Sequence, residues 1–207
     1  IEVGGSDHVK IYNNTLSRNE RNMRVYEDKR VNGCNSYNNT THTCTSPENW
    51  SISKGLSWNT TDVEMHNNIM SRSKRADNTN SYSVFMALSA VQEDGSVVMS
   101  KDMFTSISNN AYYRDKEIGG SSFDTKIAEW YKGSASPLTY TLYDSVSAFK
   151  TDTGFEANSI DEKGNNVNPN FVHEGSAVTD VKASNYNLVP TSRAKNAGIP
   201  LPSDVAA

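Results

Sequence analysis

The 207-residue sequence has few aromatic residues, little net charge and no long hydrophobic run. Aromatic residues form 9% of the chain and all hydrophobic types 35%, with a mean hydropathy of -0.66. No stretch reaches the roughly 20 apolar residues that span a bilayer, and no signal-peptide pattern opens the chain. The formal net charge of -4 and the lack of a basic run argue against nucleic acid, because phosphate binding requires a basic face. We therefore expect neither a membrane nor a nucleic-acid partner.

Cysteine is also scarce, with only Cys34 and Cys44 in the chain. They flank a short polar segment, a setting typical of a disulfide that staples a surface loop. A disulfide predicts an exported, extracellular protein. A zinc site formed by the two cysteines and His42 is the alternative, although this spacing is not that of a familiar zinc motif.

Asparagine, by contrast, is abundant at about one residue in nine. It marks an internal repeat, in which residues 8–18 (HVKIYNNTLSR) recur 54 residues later as residues 62–72 (DVEMHNNIMSR). Such self-similarity is typical of stacked supersecondary units. Because repeat units of this kind have roughly 20 to 30 residues, we expect the two copies to lie two coils apart.

Alternation within each copy predicts a short strand with one apolar face. The inward positions are Val9, Ile11, Val63 and Met65. The outward positions are His8, Lys10 and Tyr12 in the first copy and Asp62, Glu64 and His66 in the second. Equivalent outward residues should share columns, separated by roughly 10 Å if the copies lie two coils apart.

The Asn-Asn pair at the end of each copy predicts a tight corner, because asparagine tolerates left-handed backbone. In stacked units the corner amides can hydrogen-bond from one unit to the next. A weaker third copy, residues 106–113, carries its own pair at Asn109 and Asn110. Elsewhere, residues 124–131 have the spacing of one short helix, with Ile127, Trp130 and Tyr131 on one face.

Strand, Asn-Asn corner and polar turn in repetition resemble the pectin-lyase-like superfamily of secreted carbohydrate enzymes. The C-terminal phrases in residues 168–172 (NPNFV), 186–189 (YNLV) and 192–198 (SRAKNAG) strengthen the likeness. The resemblance implies an all-β right-handed parallel β-helix with inserted loops. We expect coils over residues 1–167 and an irregular capping segment of the same domain over 168–207. The opening residues read like the middle of a strand, so we expect a further N-terminal part of the same protein.

The resemblance also implies a polysaccharide partner, and β-elimination on an acidic glycan is the expected reaction. A base removes the proton α to the uronate carboxylate, and calcium can stabilise the charge that develops. We nominate Lys29 or Arg30 as the base and His66 as a further acid/base candidate. The candidate calcium ligands are Glu27, Asp28, Asp62 and Glu64.

Outward basic and aromatic side chains can hold a sugar polymer, since rings stack on the apolar faces of sugars. The predicted substrate-binding residues are Lys10, Tyr12, Tyr26, Trp58 and Arg72. Two other functions stay open. One is glycoside hydrolysis, with Asp28 paired to Asp62 or Glu64. The other is a non-catalytic module, similar to a tailspike or adhesin, that binds glycan without cleaving it.

Overall fold

A computed structural model describes residues 1–19, 21–27, 29–31, 33–38, 40–47, 54, 57–72, 83–115, 126–132, 138–164, 171 and 186–205. Strands dominate the described parts of the chain. In chain order they are β1 (Glu2–Gly4), β2 (Lys10–Tyr12), β3 (Thr15–Asn19), β4 (Met23–Tyr26), β5 (Cys34–Asn38), β6 (Thr43–Pro47), β7 (Val63–His66), β8 (Ile69–Arg72), β9 (Phe85–Leu88), β10 (Ala90–Val91), β11 (Val97–Val98), β12 (Phe104–Ser108), β13 (Ala111–Asp115), β14 (Ala128–Lys132), β15 (Thr139–Tyr143) and β16 (Ile160–Gly164). The helices among the described residues are α1 (Ser100–Met103) and α2 (Val146–Thr153).

Within the described residues these strands form five sheets. The largest has the order β1-β4-β9-β14-β15, and its last pair is antiparallel. A three-stranded sheet, β12-β7-β2, and a four-stranded sheet, β16-β13-β8-β3, are parallel. The pairs β10-β11 and β5-β6 are antiparallel hairpins.

The predicted right-handed parallel β-helix is wrong. The described strands make several small, separate sheets, mixed and parallel, and they do not close into a solenoid. Antiparallel pairing of β15 with β14 replaces the continued parallel stacking that a solenoid requires. The helix expected within 124–131 is also wrong where the structure describes it, because β14 there pairs with both β9 and β15. Trp130 consequently points into the core at 2% exposure, whereas its neighbour Tyr131 is only half-buried.

The two repeat copies lie closer together than expected. Strands β2 and β7 are hydrogen-bonded neighbours, with Lys10 opposite Glu64 and Tyr12 opposite His66. The prediction of an intervening coil is therefore wrong, and the columns are one strand spacing apart, about 4.8 Å. The expected sharing of columns itself is confirmed, because the copies pair without a register shift.

An amide ladder joins the Asn-Asn corners, as the sequence predicts. Asn14 Nδ2 donates to Asn68 Oδ1 at 2.9 Å, and Asn68 Nδ2 donates to Asn110 Oδ1 at 3.0 Å. Asn110 Nδ2 then donates to Glu156 Oε2 at 3.2 Å, so a buried carboxyl ends the ladder. The first asparagine of each pair adopts left-handed backbone, with φ of 56° at Asn13 and 59° at Asn67.

Apolar side chains from the three larger sheets meet in one core. The strand faces contribute Met23, Val25, Val63, Met65, Met70 and Ile107, which are buried. An aromatic cluster lies beside them, in which Trp130 packs against Phe104, Phe149 and Phe155 with ring centroids 5.1–5.6 Å apart. This core sets which side chains of each strand face outward.

Candidate functional site

Five predicted site residues meet on the outer side of the three-stranded sheet. We call Lys10, Tyr12, Asp62, Glu64 and His66 the polar face. Ile11 and Met65 point into the core, so alternation turns their neighbours outward. The structure thus brings together residues separated by about 50 positions in the chain.

Tyr12 and Glu64 form the centre of the polar face, where the Tyr12 hydroxyl donates to Glu64 Oε2. Burial raises the pKa of Tyr12, and the hydrogen bond to Glu64 raises it further. The phenol is therefore a donor at neutral pH and does not serve as a base.

His66 lies beside this pair, with its ring centroid 5.2 Å from that of Tyr12. Its Nδ1 is 2.9 Å from Ser108 Oγ and its Nε2 is 2.8 Å from Ser106 Oγ. Burial lowers the pKa of His66, which favours the neutral imidazole. The two serines were missed, although they are the outward positions of the third repeat copy.

A cluster of two aspartates and one histidine lies just before strands β2 and β7. Asp7, His8 and Asp62 each offer one ligand atom, and these atoms lie within 4.8 Å of one another. His8 Nδ1 is 2.9 Å from Asp7 Oδ2, and Thr61 Oγ1 donates to Asp7 Oδ1 at 2.9 Å. These contacts, together with one of 3.4 Å between His8 Nε2 and Asp62 Oδ2, join the three side chains to one another and to Thr61.

The predicted calcium ligands do not converge in the part of the chain that is described. Glu27 follows β4 of the five-stranded sheet, is 4% exposed, and accepts the Thr60 N–H at 2.6 Å. Asp62 and Glu64 lie on the polar face instead, and Asp28 lies outside the described residues. Calcium binding stays a prediction.

The two nominated bases, Lys29 and Arg30, follow β4 at the carboxyl end of a strand in the five-stranded sheet. Lys29 follows β4 and lines an open cleft of about 730 Å³ together with residues 89–93 and Leu138. The Lys29 carbonyl accepts the Glu93 N–H at 3.0 Å, which joins the two sides of the cleft. Its ammonium makes no hydrogen bond or ion pair with any described residue.

Arg30, the other nominated base, is held beside Trp58. Its guanidinium carbon lies 4.2 Å from the centroid of the Trp58 ring, a cation–π geometry. A side chain at Gly5 would overlap this guanidinium, and the φ of +55° at Gly5 also favours glycine. Arg30 and Trp58 are thus partners of each other, which suits a binding surface better than proton transfer.

A row of tyrosines runs across the outer side of the five-stranded sheet, close to the cleft. Tyr26 pairs with Gly4 and Leu88, and Tyr131 pairs with Tyr140. A Cβ on Gly4 would overlap the Tyr26 ring, so this ring lies flat over the strand. The Tyr131 and Tyr140 rings stack at 5.4 Å, and Tyr140 is 48% exposed. We call Tyr26, Tyr131 and Tyr140 the tyrosine row.

Comparison of this chain with protein-family models, curated proteins and solved structures finds no match. Among the described residues, no helix is both long and apolar enough to cross a membrane.

The predicted disulfide is confirmed, since Cys34 and Cys44 are bonded across the β5-β6 hairpin. That bond removes the thiolates required by the alternative zinc site. Arg72 ends β8 in the four-stranded sheet, away from the strands that carry the other candidates.

Proposed function

We propose that this protein is exported and binds an acidic polysaccharide along the tyrosine row and in the adjoining cleft. The observation that supports this most is the Lys29 ammonium, which lines the cleft without a partner among the described residues. Such a cation is free to pair with the carboxylate of a uronic acid. The disulfide agrees with export.

The surroundings of Lys29 suit a sugar polymer. A cleft of about 730 Å³ lies within the usual size range of small-ligand sites. The exposed ring of Tyr140 can stack on the apolar face of a sugar. An aromatic subsite next to a cationic subsite would favour a glycan in which apolar sugar faces alternate with carboxylates.

Cleavage of the bound glycan by β-elimination is the second candidate, favoured by the same amine, which has no partner among the described residues. In that reaction the neutral Lys29 amine takes the proton α to the uronate carboxylate. The electron pair of the broken C–H bond forms the double bond, the bond between the β carbon and the glycosidic oxygen breaks, and that oxygen takes the proton from the Lys29 ammonium. The carboxylate then needs a cation to stabilise the enolate-like charge, a role that calcium or Arg30 would fill.

Binding is tested by electrophoresis of the protein through gels that contain pectate, alginate, chondroitin sulfate or neutral dextran. We expect retardation by at least one acidic glycan, none by dextran, and loss of the effect in Lys29→Gln. Lys101→Gln is the control, because Lys101 is also an exposed lysine but lies on α1. Equal retardation of Lys29→Gln and wild type would contradict the assignment of Lys29.

Cleavage is tested on the same glycans by the ultraviolet absorbance of unsaturated uronates, with and without a calcium chelator. Absorbance that grows for wild type and not for Lys29→Gln supports β-elimination. Retardation without new absorbance on any glycan would remove the lyase and leave the binding function.

A further inference from the structure

The three larger sheets all end on the first three strands of the chain. Their terminal strands are β1, β2 and β3, and each of these pairs on one side only among the described strands. Residues 5–9 and the Asn13-Asn14 corner link the three strands, whose neighbours in the sheets are β4, β7 and β8. The three outer edges therefore lie together at one end of the molecule, which we call the open end.

The open end presents backbone hydrogen-bonding groups of β2. The Val9 carbonyl accepts a hydrogen bond from β7 at 2.9 Å, and the Asn13 N–H donates to β7 at 3.2 Å. Because alternate residues of a strand direct their backbone groups to opposite edges, the N–H groups of Lys10 and Tyr12 point away from β7. Edge groups of this kind are a template for a further strand.

The amide ladder has a direction that also points to the open end. Asn68 Oδ1 accepts the N–H of Asn14 at 3.1 Å and its Nδ2 at 2.9 Å. Asn110 Oδ1 likewise accepts the N–H and the Nδ2 of Asn68, each at 3.0 Å. Asn14 Oδ1 holds the equivalent place in the first unit, and no described residue donates to it. The ladder ends on a carboxyl at Glu156, whereas at Asn14 it can accept the same two donors from one more asparagine.

The side chains at the open end suit a polypeptide better than a charged small molecule. Lys10, the only charged residue of β2, is paired with Asp204. Val9 and Leu16 pack against the core but are only partly buried. An added strand with apolar side chains would therefore extend both the backbone hydrogen bonding and the apolar packing.

A second folded copy of this chain does not supply the ladder donors. The N–H and Nδ2 groups of Asn14, Asn68 and Asn110 are all hydrogen-bonded within the chain. The asparagine that bonds to Asn14 Oδ1 must therefore come from a different polypeptide.

We propose that the open end binds a partner polypeptide by strand addition, and that this partner carries two short strands joined by an Asn-Asn corner. Its strands lie parallel to β2 and β3, and its second corner asparagine donates the main-chain N–H and the side-chain amide to Asn14 Oδ1. Its apolar side chains cover Val9 and Leu16. This inference does not rest on the glycan-binding proposal, which concerns the outer side of the five-stranded sheet and its cleft.

Hydrogen exchange of the full chain with a synthetic peptide tests the proposal. The probe copies residues 60–72 (TTDVEMHNNIMSR), because this segment pairs in parallel with β2 and β3 on their other edge. We expect the Lys10 and Tyr12 amides to exchange rapidly in the protein alone. With about 1 mM peptide they should exchange about ten-fold more slowly, which corresponds to a dissociation constant of about 0.1 mM.

A fusion that carries the same segment ahead of Ile1 on a flexible linker raises its local concentration to the millimolar range. Unchanged exchange of Lys10 and Tyr12 both with the free peptide and in the fusion would overturn the proposal. Slow exchange in the protein alone would show that the chain itself covers this edge and would also overturn it. Slowing that grows with protein concentration in the absence of peptide would identify a second copy as the occupant and refute the assignment of a different partner.

Variants of the peptide test the ladder contact without altering the protein. Asn68→Ala in the peptide removes the side-chain amide that donates to Asn14 Oδ1, so the dissociation constant should rise about three- to ten-fold. Asn67→Gly in the peptide is the matched control, because glycine suits the φ of 59° at this corner and Asn67 is not a member of the ladder. Equal affinities of the two peptide variants would contradict the role of Asn14.

Discussion

Replacement of Glu156 by glutamine should make the protein more stable at alkaline pH. Glu156 ends the amide ladder, is 1% exposed, and accepts hydrogen bonds from Asn110, Tyr112 and Ser159. Burial raises its pKa from 4.5 to about 7, although those three hydrogen bonds favour the ionised form. The folded state therefore binds this proton more tightly than the unfolded chain does.

The sign and size of the effect follow from proton linkage. Stability from the raised pKa is fully present below pH 4.5 and is lost as the pH rises through about 7. At about 1.4 kcal/mol per pKa unit, the shift corresponds to about 3 kcal/mol. Glutamine stays neutral, and its Oε1 and Nε2 can accept from Ser159 and donate to the Tyr112 hydroxyl. The left-handed φ of 63° at this position costs glutamate and glutamine about the same free energy.

The assay is urea unfolding of wild type and Glu156→Gln at pH 5 and pH 8, followed by tryptophan fluorescence. We expect the free energy of unfolding of the variant relative to wild type to rise by about 2.5 kcal/mol between the two pH values, because at pH 5 the unfolded chain is already largely ionised at this position. Glu162→Gln, which removes a surface carboxylate paired with Arg193, should show no such rise. A difference between Glu156→Gln and wild type that does not change with pH would refute the reasoning.

Three other changes test other parts of the structure. Asn68→Ala removes the middle of the ladder and leaves buried donors and acceptors unpaired, so the free energy of unfolding should fall by about 3 kcal/mol in urea titrations; a fall below about 1 kcal/mol would contradict this. Replacing both Cys34 and Cys44 by serine should cost about 2–3 kcal/mol, with the far-ultraviolet circular dichroism of the native state retained. Gly4→Ala should displace the Tyr26 ring from its position over the strand, lower the free energy of unfolding by about 1–3 kcal/mol and weaken glycan retardation about three- to ten-fold. Unchanged retardation would show that Tyr26 is not part of the binding surface.

The parts of the fold that depend on local chemistry could be predicted from the sequence. Left-handed corners at Asn13 and Asn67, their stacked amides and the shared columns of Lys10 and Glu64 all follow from one repeated pattern. The spacing of the copies could not be predicted in this way. A repeat length shows that units stack, but long insertions such as the β5-β6 hairpin lengthen a unit without adding a strand to the stack.

The architecture as a whole depended on pairings that no local signal encodes. Residues 124–131 have helical spacing, yet pairing with strands β9 and β15 on either side holds residues 128–132 extended. That pairing makes the largest sheet mixed and ends the parallel stacking. Tertiary hydrogen bonding outweighed a short helical pattern, whose intrinsic stability is small.

The candidate sites were predictable to the extent that they lie on the repeat. Alternation placed Tyr12, Glu64 and His66 together, whereas Glu156 and Asp204 come from distant segments without repeat character. The tyrosine row was also missed apart from Tyr26, because the helical spacing of residues 124–131 places Tyr131 on a helix face and no local signal indicates its pairing with Tyr140. Only the antiparallel register of β14 and β15 brings these rings into contact.

Covalent footprinting in the presence of an acidic glycan tests the proposed function most directly. Hydroxyl-radical oxidation reports on Tyr140, and amine acylation reports on Lys29 and, as a control, on Lys101. With the glycan that retards the protein in gels, we expect protection of Tyr140 and Lys29 and unchanged labelling of Lys101. Retained glycan binding with full labelling of Tyr140 and Lys29 would contradict the assignment of the cleft and the tyrosine row as the binding surface.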